Sequence, residues 1–310
     1  MLYNNEIKSK YIQNKGRAYG NVATTYFTQT KSVEEEKGKD IALFTNEEWF
    51  EFLFSIDVIT IHNVNRYTEF FKTYAKWYSV NMKTEEQNYF DKIGKDQMIF
   101  YTTNIINKDN YIPRDLFVKL VNDIPNAVDR YVLLCIYEGI KGEDFSDIIL
   151  LKQSDIDREN NIFHLHSGKD VVVSDELMQA AIAACSQKNF VTLKSPFDPK
   201  TPATGTLDNV EYVFRVRDNA SYNAPKSRNM YRKFASYKSY FENSEINAPR
   251  LLSSGFIAKL HEIMEKYDAD QPKQVYDTQE LKDAVSNLYG EGVDARRVVS
   301  RLKNNGYTIG

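Results

Sequence analysis

Tyr131–Ser174 reads YVLLCIYEGIKGEDFSDIILLKQSDIDRENNIFHLHSGKDVVVS, and this stretch decides the fold. Val132, Leu133, Leu134 and Ile136 form an apolar helix that stops at Gly139, the residue type that ends helices with a left-handed turn. Lys141 follows in that turn, with Asp144 three positions on. A short apolar segment, Phe145 to Leu151, leads into Ser154–Asp157. Two alternating runs, Ile162–His166 and Val171–Val173, then flank Ser167-Gly168-Lys169-Asp170. That alternation predicts a β-hairpin with a lysine at its tip.

Around this stretch, the 310 residues suggest about two domains, each long enough for a core. A hydrophobic content of 42% with 27% charged residues is that of a globular chain rather than a disordered one. No apolar run approaches the roughly 20 residues that cross a bilayer, and MLYNNEIKSKYIQNKG has no secretory apolar core, so a cytoplasmic protein with no membrane partner is expected. Cys135 and Cys185 fit a reducing compartment, Cys135 as a buried small hydrophobe. His164 and His166 share a strand face. With no third ligand beside them, no metal site and no cofactor are expected.

The net charge of −3 does not advertise nucleic-acid binding, but the average hides a local bias. Between Val213 and Tyr240 stand Arg215, Arg217, Lys226, Arg228, Arg232, Lys233 and Lys238 against Asp218 alone. A basic face on an otherwise acidic protein is an electrostatic footprint for DNA; the plainer reading is a solvated surface.

Taken in order, residues 1–40 read as an N-terminal arm, with Lys8, Lys10, Lys15 and Arg17 among polar residues. Such an arm either runs along a DNA backbone or is a mobile tail. A helical domain over 41–105 comes next. Thr45 and Glu48 are spaced as a capping box before Trp49, Phe50, Phe52, Leu53 and Phe54. A second helix, from His62 or Asn63 to Tyr78, carries Tyr67, Phe70, Phe71, Tyr74 and Trp77 as a core stripe, and a weaker segment spans Glu85–Phe100. Asn104–Tyr111 reads as an interdomain linker, and a second domain covers 112–310. Within it Pro113 suits a first helical turn and Ser174-Asp175-Glu176 starts another helix. Asn189–Asn209 reads as a loop, Glu211–Arg217 as one short strand, and Lys226–Phe241 as the helix carrying most of the basic bias. The last helix, Asp294–Lys303, carries Arg296, Arg297, Arg301 and Lys303. The class is mainly α: a helical N-terminal domain, then a mostly helical C-terminal domain with a small β-hairpin or sheet.

The order helix, Gly-apolar-cation, acid, short helix, Asp-Ile-Asp, Gly-Lys hairpin resembles the opening of the catalytic domain of tyrosine recombinases, the phage integrase superfamily. Ile246-Asn247-Ala248-Pro249-Arg250 resembles that family's His-x-x-Arg motif at a helix start. The resemblance implies a two-domain clamp on duplex DNA, with the 41–105 domain as its core-binding, SAM-like partner. It places Lys141 where the family has its first arginine, Asp144 at the acidic position, Lys169 at the hairpin lysine, Asn247 at the histidine and Arg250 at the second arginine. A second register, around Gln279–Lys282, lacks that arginine. None of Tyr276, Tyr289 and Tyr307 lies in the family's His/Trp-to-Tyr pattern.

Strand transfer by that family is phosphoryl transfer: a tyrosine attacks, two arginines clamp the non-bridging oxygens, and an acid protonates the leaving oxygen. Lysine is a point charge where arginine is a planar fork, and asparagine transfers no proton. The implied protein is a catalytically inactive homologue, similar to the non-cleaving lysogeny repressors of SPbeta-type Bacillus prophages. The implied function is sequence-specific repression of lytic genes in the cytoplasm of a bacterial host, at the nucleoid. Expected partners are double-stranded DNA at operator repeats near promoters, further copies of the chain on DNA, and phage-encoded regulators. Lys141, Asp144, Lys169, Asn247 and Arg250 form the implied degenerate site. Lys226, Arg228, Arg232 and Lys233 are candidates for base readout from the basic helix. Two other readings stay open: an active recombinase with an unplaced tyrosine, and a helical module that binds protein.

Overall fold

A computed structural model describes residues 2–15, 17–82, 88–208, 211–216 and 227–309. The chain divides into two compact units, Met1–Thr103 and Asn104–Gly310.

The first unit is helical: α1 (Asn5–Gln13), α2 (Arg17–Lys37), α3 (Asn46–Ser55), α4 (Ile61–Met82) and the start of α5 (Lys95–Asn107). Helix α3 begins on the expected capping box. Glu48 N donates to Thr45 Oγ1 at 3.3 Å, and Thr45 N donates to Glu48 Oε2 at 2.8 Å. The aromatic stripe of α4 is core: Phe71 and Tyr74 are fully buried, and Phe71 meets Trp49 edge-on at 5.2 Å.

The described residues among 1–40 do not form an arm. Helices α1 and α2 bury Tyr11 and Phe27 completely, and Tyr11 packs on Tyr74 at 5.0 Å and Phe27 on Tyr74 at 4.7 Å. Ala23, Phe27, Thr30 and Glu34 make a helical stripe of fully buried residues. Half of that stripe is polar, so its period is silent in an apolar scan. Glu34 is paired with the buried Lys8, and its other oxygen accepts from Ile41 N at 2.7 Å. Two of the expected arm cations therefore play other parts: Lys8 is interior, and Lys10 pairs with Glu6 at 2.9 Å on the surface. The helix expected over 85–100 lies further on, as α5, and the expected linker is helical as far as Asn107.

The second unit is built on α7 (Ala127–Tyr137), whose residues are buried apart from Arg130. It comes after α6 (Arg114–Asn122), which packs Phe117 flat on Tyr137 at 4.1 Å. Gly139 ends α7 with φ of 86°, as its residue type predicts. After α8 (Ser146–Ile149) come β1 (Ile156–Asp157), β2 (Ile162–His164) and β3 (Asp170–Val172), an antiparallel sheet in that order with Phe163 opposite Val171. Phe163 faces the core and is fully buried. Helix α9 (Asp175–Ser186) starts at Ser174, whose hydroxyl accepts from Leu177 N at 3.2 Å.

The expected loop 189–209 contains a second, two-stranded sheet, β4 (Asn189–Val191) with β5 (Thr204–Thr206). The strand expected over 211–217 is not formed among the described residues. Val213 N bonds Leu151 O at 2.9 Å and Gln153 N bonds Glu211 O at 2.9 Å, a pairing too short to grow into a ladder. Helices α10 (Ser227–Tyr240), α11 (Ala248–Lys266), α12 (Gln279–Tyr289) and α13 (Ala295–Asn304) complete the unit. Helices α11 to α13 share a core that includes Phe256, Leu260, Val285, Val299 and Leu302. Helix α11 crosses α7 at Gly255, where a Cβ would stand 1.6 Å from the Tyr137 carbonyl oxygen. The mainly helical class with small sheets is as expected. No described helix is long and apolar enough to cross a membrane.

Candidate functional site

The turn after α7 places Lys141. Its ammonium lies over the Phe145 ring at 5.6 Å. Asp144 and Phe145 both take left-handed backbone, with φ of 48° and 67°. Two consecutive non-glycine residues there carry strain, and the burial of Phe145 offsets it. The hairpin between β2 and β3 closes through Leu165 N to Lys169 O at 2.8 Å and turns on Gly168 with φ of 81°.

Asp147 joins the two loops. The Asp147 carboxylate accepts from Ser167 N at 2.8 Å and from the Ser167 hydroxyl at 3.1 Å, while Asp147 N donates to Lys141 O at 3.3 Å. The hairpin tip and the α7 turn are thereby held in register. Lys141 and Lys169 both line one cleft of about 270 Å³, whose lining also includes Leu288 and Gly290 at the end of α12. The acids of that cleft are already engaged: Asp147 by Ser167, and Glu138 by Ser174 and Arg114. Among the described residues neither lysine forms an ion pair. Two half-buried lysines in one cleft suit an anion such as a backbone phosphate.

The other expected site residues are not in that cleft. Asp144 is exposed on the strained turn. Asn247 caps α11, its Oδ1 accepting from Arg250 N at 3.0 Å. Arg250 is turned inward with its side chain 14% exposed, donating to Glu245 at 3.1 Å and to Asn107 Oδ1 at 2.8 Å. Of the five residues of the implied degenerate site, Lys141 and Lys169 share a cleft, while Asp144, Asn247 and Arg250 lie outside its lining and Arg250 makes internal bonds.

The basic helix divides along its own faces. Lys226 and Arg217 lie outside the described residues. Arg228, Tyr231, Arg232, Ala235 and Lys238 share the exposed face of α10, and Tyr231 is 61% exposed. Lys233 sits off that face, bound to Asp129 with its side chain 22% exposed and over the Phe214 ring at 5.6 Å. Asp129 also accepts from Tyr237 Oη at 2.9 Å and from Asn126 Nδ2 at 2.8 Å. This buried cluster has no sequence signal, because Asp129 and its partners on α10 lie more than a hundred residues apart. The two basic regions meet through rings: Phe145, beneath Lys141, touches Tyr231 edge-on at 5.9 Å.

His164 differs from expectation in having an acid beside it. Its Nδ1 lies 2.7 Å from Asp170 Oδ1, and that hydrogen bond raises its pKa. No cluster of three or more metal-ligating side chains forms among the described residues. Tyr289, last residue of α12, packs edge-on against Phe256 at 5.7 Å, and burial pushes its hydroxyl pKa up. Burial also raises that of Tyr276.

Family models match both units. The MrpR C-terminal catalytic domain covers residues 111–296 and the MrpR N-terminal core-binding domain covers residues 2–80. The chain belongs to the MrpR family. A core-binding domain with a catalytic domain after it is the layout of a tyrosine-recombinase-like fold. As an MrpR-family chain it is 22% identical over 224 residues to the SPbeta prophage-derived uncharacterized protein YopR of Bacillus subtilis (strain 168), covering 70% of this chain and 68% of that protein. The crystal structure of XerA recombinase aligns over 99% of this chain and 100% of that one, with 13% identity and a TM-score of 0.32, a likeness too slight to build on. The MrpR core-binding match begins at residue 2, in line with the folded state of 1–40.

Proposed function

We propose that this protein binds double-stranded DNA sequence-specifically and represses phage lytic genes, with strand cleavage lost. What carries the reading is the linked basic surface. Lys141 and Lys169 share a cleft, and Phe145 under Lys141 touches Tyr231 on the exposed Arg228/Arg232/Lys238 face of α10. Phosphate contacts from the cleft position a duplex, and an exposed helix face of arginines and a tyrosine reads base edges. Inactivity is supported by lysine at the first arginine position, the inward Arg250 and the helix-capping Asn247. Operators are repeats near promoters, on which several copies assemble, with phage-encoded regulators acting on the complex at the host nucleoid.

The test is to incubate the purified protein with fragmented prophage and host DNA at moderate salt and sequence the retained pieces. A few fragments sharing one element near promoters are expected. No enrichment over input overturns the reading and favours a protein-binding module.

One observation favours strand transfer as a second reading: Tyr289 is flanked by Leu288 and Gly290, which line the two-lysine cleft. A covalent adduct on a nicked suicide substrate, lost in Tyr289→Phe, would establish it. The raised pKa of the Tyr289 hydroxyl works against it.

A further inference from the structure

Helix α13 is a basic element outside both the two-lysine cleft and α10. Its apolar side, Ala295, Val298, Val299 and Leu302, is buried in the core it shares with α11 and α12. Its other side exposes Arg296, Arg297, Ser300, Arg301, Lys303 and Asn304. The helix contains no acid. Arg296 pairs with Asp277 at 3.2 Å, and among the described residues Arg297, Arg301 and Lys303 form no ion pair.

An ordinary solvated face does not take this form in this chain. The net charge is −3, and on other helices surface lysines stand beside acids: Lys10 by Glu6, Lys31 by Glu35 and Lys259 by Glu262. Arg301 and Lys303 suit the negative C-terminal end of a helix. Arg297 does not, because it stands in the first turn, where the helix dipole disfavours a cation. The N-cap acid, Asp294, accepts from Arg296 N. A local rule broken with no internal gain points to a partner outside the chain.

The helix is also joined to the wall of the cleft. Leu288 lines the cleft and packs on the core that seats α13. Burial raises the pKa of the Tyr289 hydroxyl and the Arg301 charge acts against it, so Arg301 is within electrostatic reach of the end of α12. The six exposed residues of α13 are all polar, whereas a protein–protein interface has an apolar centre. Contacts to phosphate need none.

We propose that the exposed face of α13 is a second contact with the DNA phosphate backbone, taking the flank of the duplex whose nearer phosphates lie at Lys141 and Lys169. It rests on the reading of the protein as a duplex binder. It adds a contact that fixes orientation and carries no base information.

The test is binding of the full chain to a mixed-sequence duplex of about 40 base pairs, by fluorescence anisotropy over a range of salt. In Arg297→Gln/Arg301→Gln/Lys303→Gln the slope of log K against log[salt] should fall by about two to three, and affinity at low salt by roughly tenfold or more. A control with the same change in net charge, Lys194→Gln/Lys259→Gln/Lys266→Gln, removes lysines already paired with acids and should leave the slope unchanged. No binding by the unaltered chain overturns the duplex reading and this inference together. Binding by the unaltered chain, with slope and affinity kept in the α13 variant, overturns this inference alone. Equal losses in both variants also overturn it, since net charge and not α13 would then be responsible. So does sedimentation without DNA in which the unaltered chain self-associates and the α13 variant does not while keeping its slope: the face would then belong to a second copy. Should the triple variant fail to fold, Arg297→Gln and Arg301→Gln singly decide the matter, each expected to lower the slope by about one.

Discussion

Asp147 holds Ser167 by two hydrogen bonds, one to its backbone N–H at 2.8 Å and one to its hydroxyl at 3.1 Å. Twenty residues of chain separate them, and the bonds fix where Lys169 stands relative to Lys141. Asp147→Ala leaves the Ser167 N–H without an acceptor and frees the hairpin tip. A stability loss of about 1–3 kcal/mol is expected in urea denaturation. DNA affinity should fall further than the folded fraction accounts for. Unchanged affinity in the folded protein would show that the register of the two lysines is unimportant.

Arg232 and Arg250 separate surface charge from internal charge. Arg232→Ala should lower the slope of log K against log[salt] by roughly one, as expected for a single lost phosphate contact. Loss of discrimination between sites with the slope intact would instead make Arg232 a base reader. Arg250→Ala should cost about 1–2 kcal/mol of stability, because Glu245 and Asn107 lose their donor. Its salt slope should match that of the unaltered protein, measured by fluorescence anisotropy at several ionic strengths.

Gly255→Ala tests the packing of α11 on α7. Its methyl group would lie 1.6 Å from the Tyr137 carbonyl oxygen, so the helices must separate. A loss of about 3 kcal/mol or more is expected, enough to leave the second unit largely unfolded by circular dichroism. Thermal stability equal to wild type would mean the helices do not cross at this point.

His164 should titrate above the ordinary histidine range, chiefly through its hydrogen bond to Asp170. The sign comes from linkage. A pKa raised on folding stabilises fully below the unfolded value near 6.5, and that contribution disappears as pH rises through the folded value. The ring resonances of His164 give the folded value directly, and Asp170→Asn should lower it. A titration midpoint that ignores Asp170→Asn would remove the pair from the account.

The buried Lys8–Glu34 pair makes a fifth prediction. Lys8→Met alone strands a carboxylate in the core and should cost about 3–5 kcal/mol. Adding Glu34→Leu should recover much of that loss, read as non-additivity in a double-mutant cycle.

The hairpin, the Gly139 stop, the Thr45 capping box and the Ser174 cap were legible because each is written within a few consecutive residues. The α4 stripe was legible through its aromatic period. The first forty residues were not, since Thr30 and Glu34 stand where a helix pattern asks for apolar side chains. Lys141 and Lys169 were found through the resemblance. Asp147, which brings them together, was missed because an acid beside Ser146 has no local signature of a tertiary partner. Arg250 and Lys233 were read as cations available to DNA. Asn107 and Asp129 lie too far along the sequence for their pairing to be seen, whereas Glu245, five residues before Arg250, is a local partner that the motif reading passed over.

The folded state of α1 and α2 also bears on how such a protein changes over generations. A loose basic tail can be lengthened, swapped or trimmed with little harm to the domain behind it. A segment that seats Tyr11 and Phe27 against Tyr74 cannot. Substitutions in the opening helices must be answered in α4, so the start of the chain is inherited as a matched set with its core.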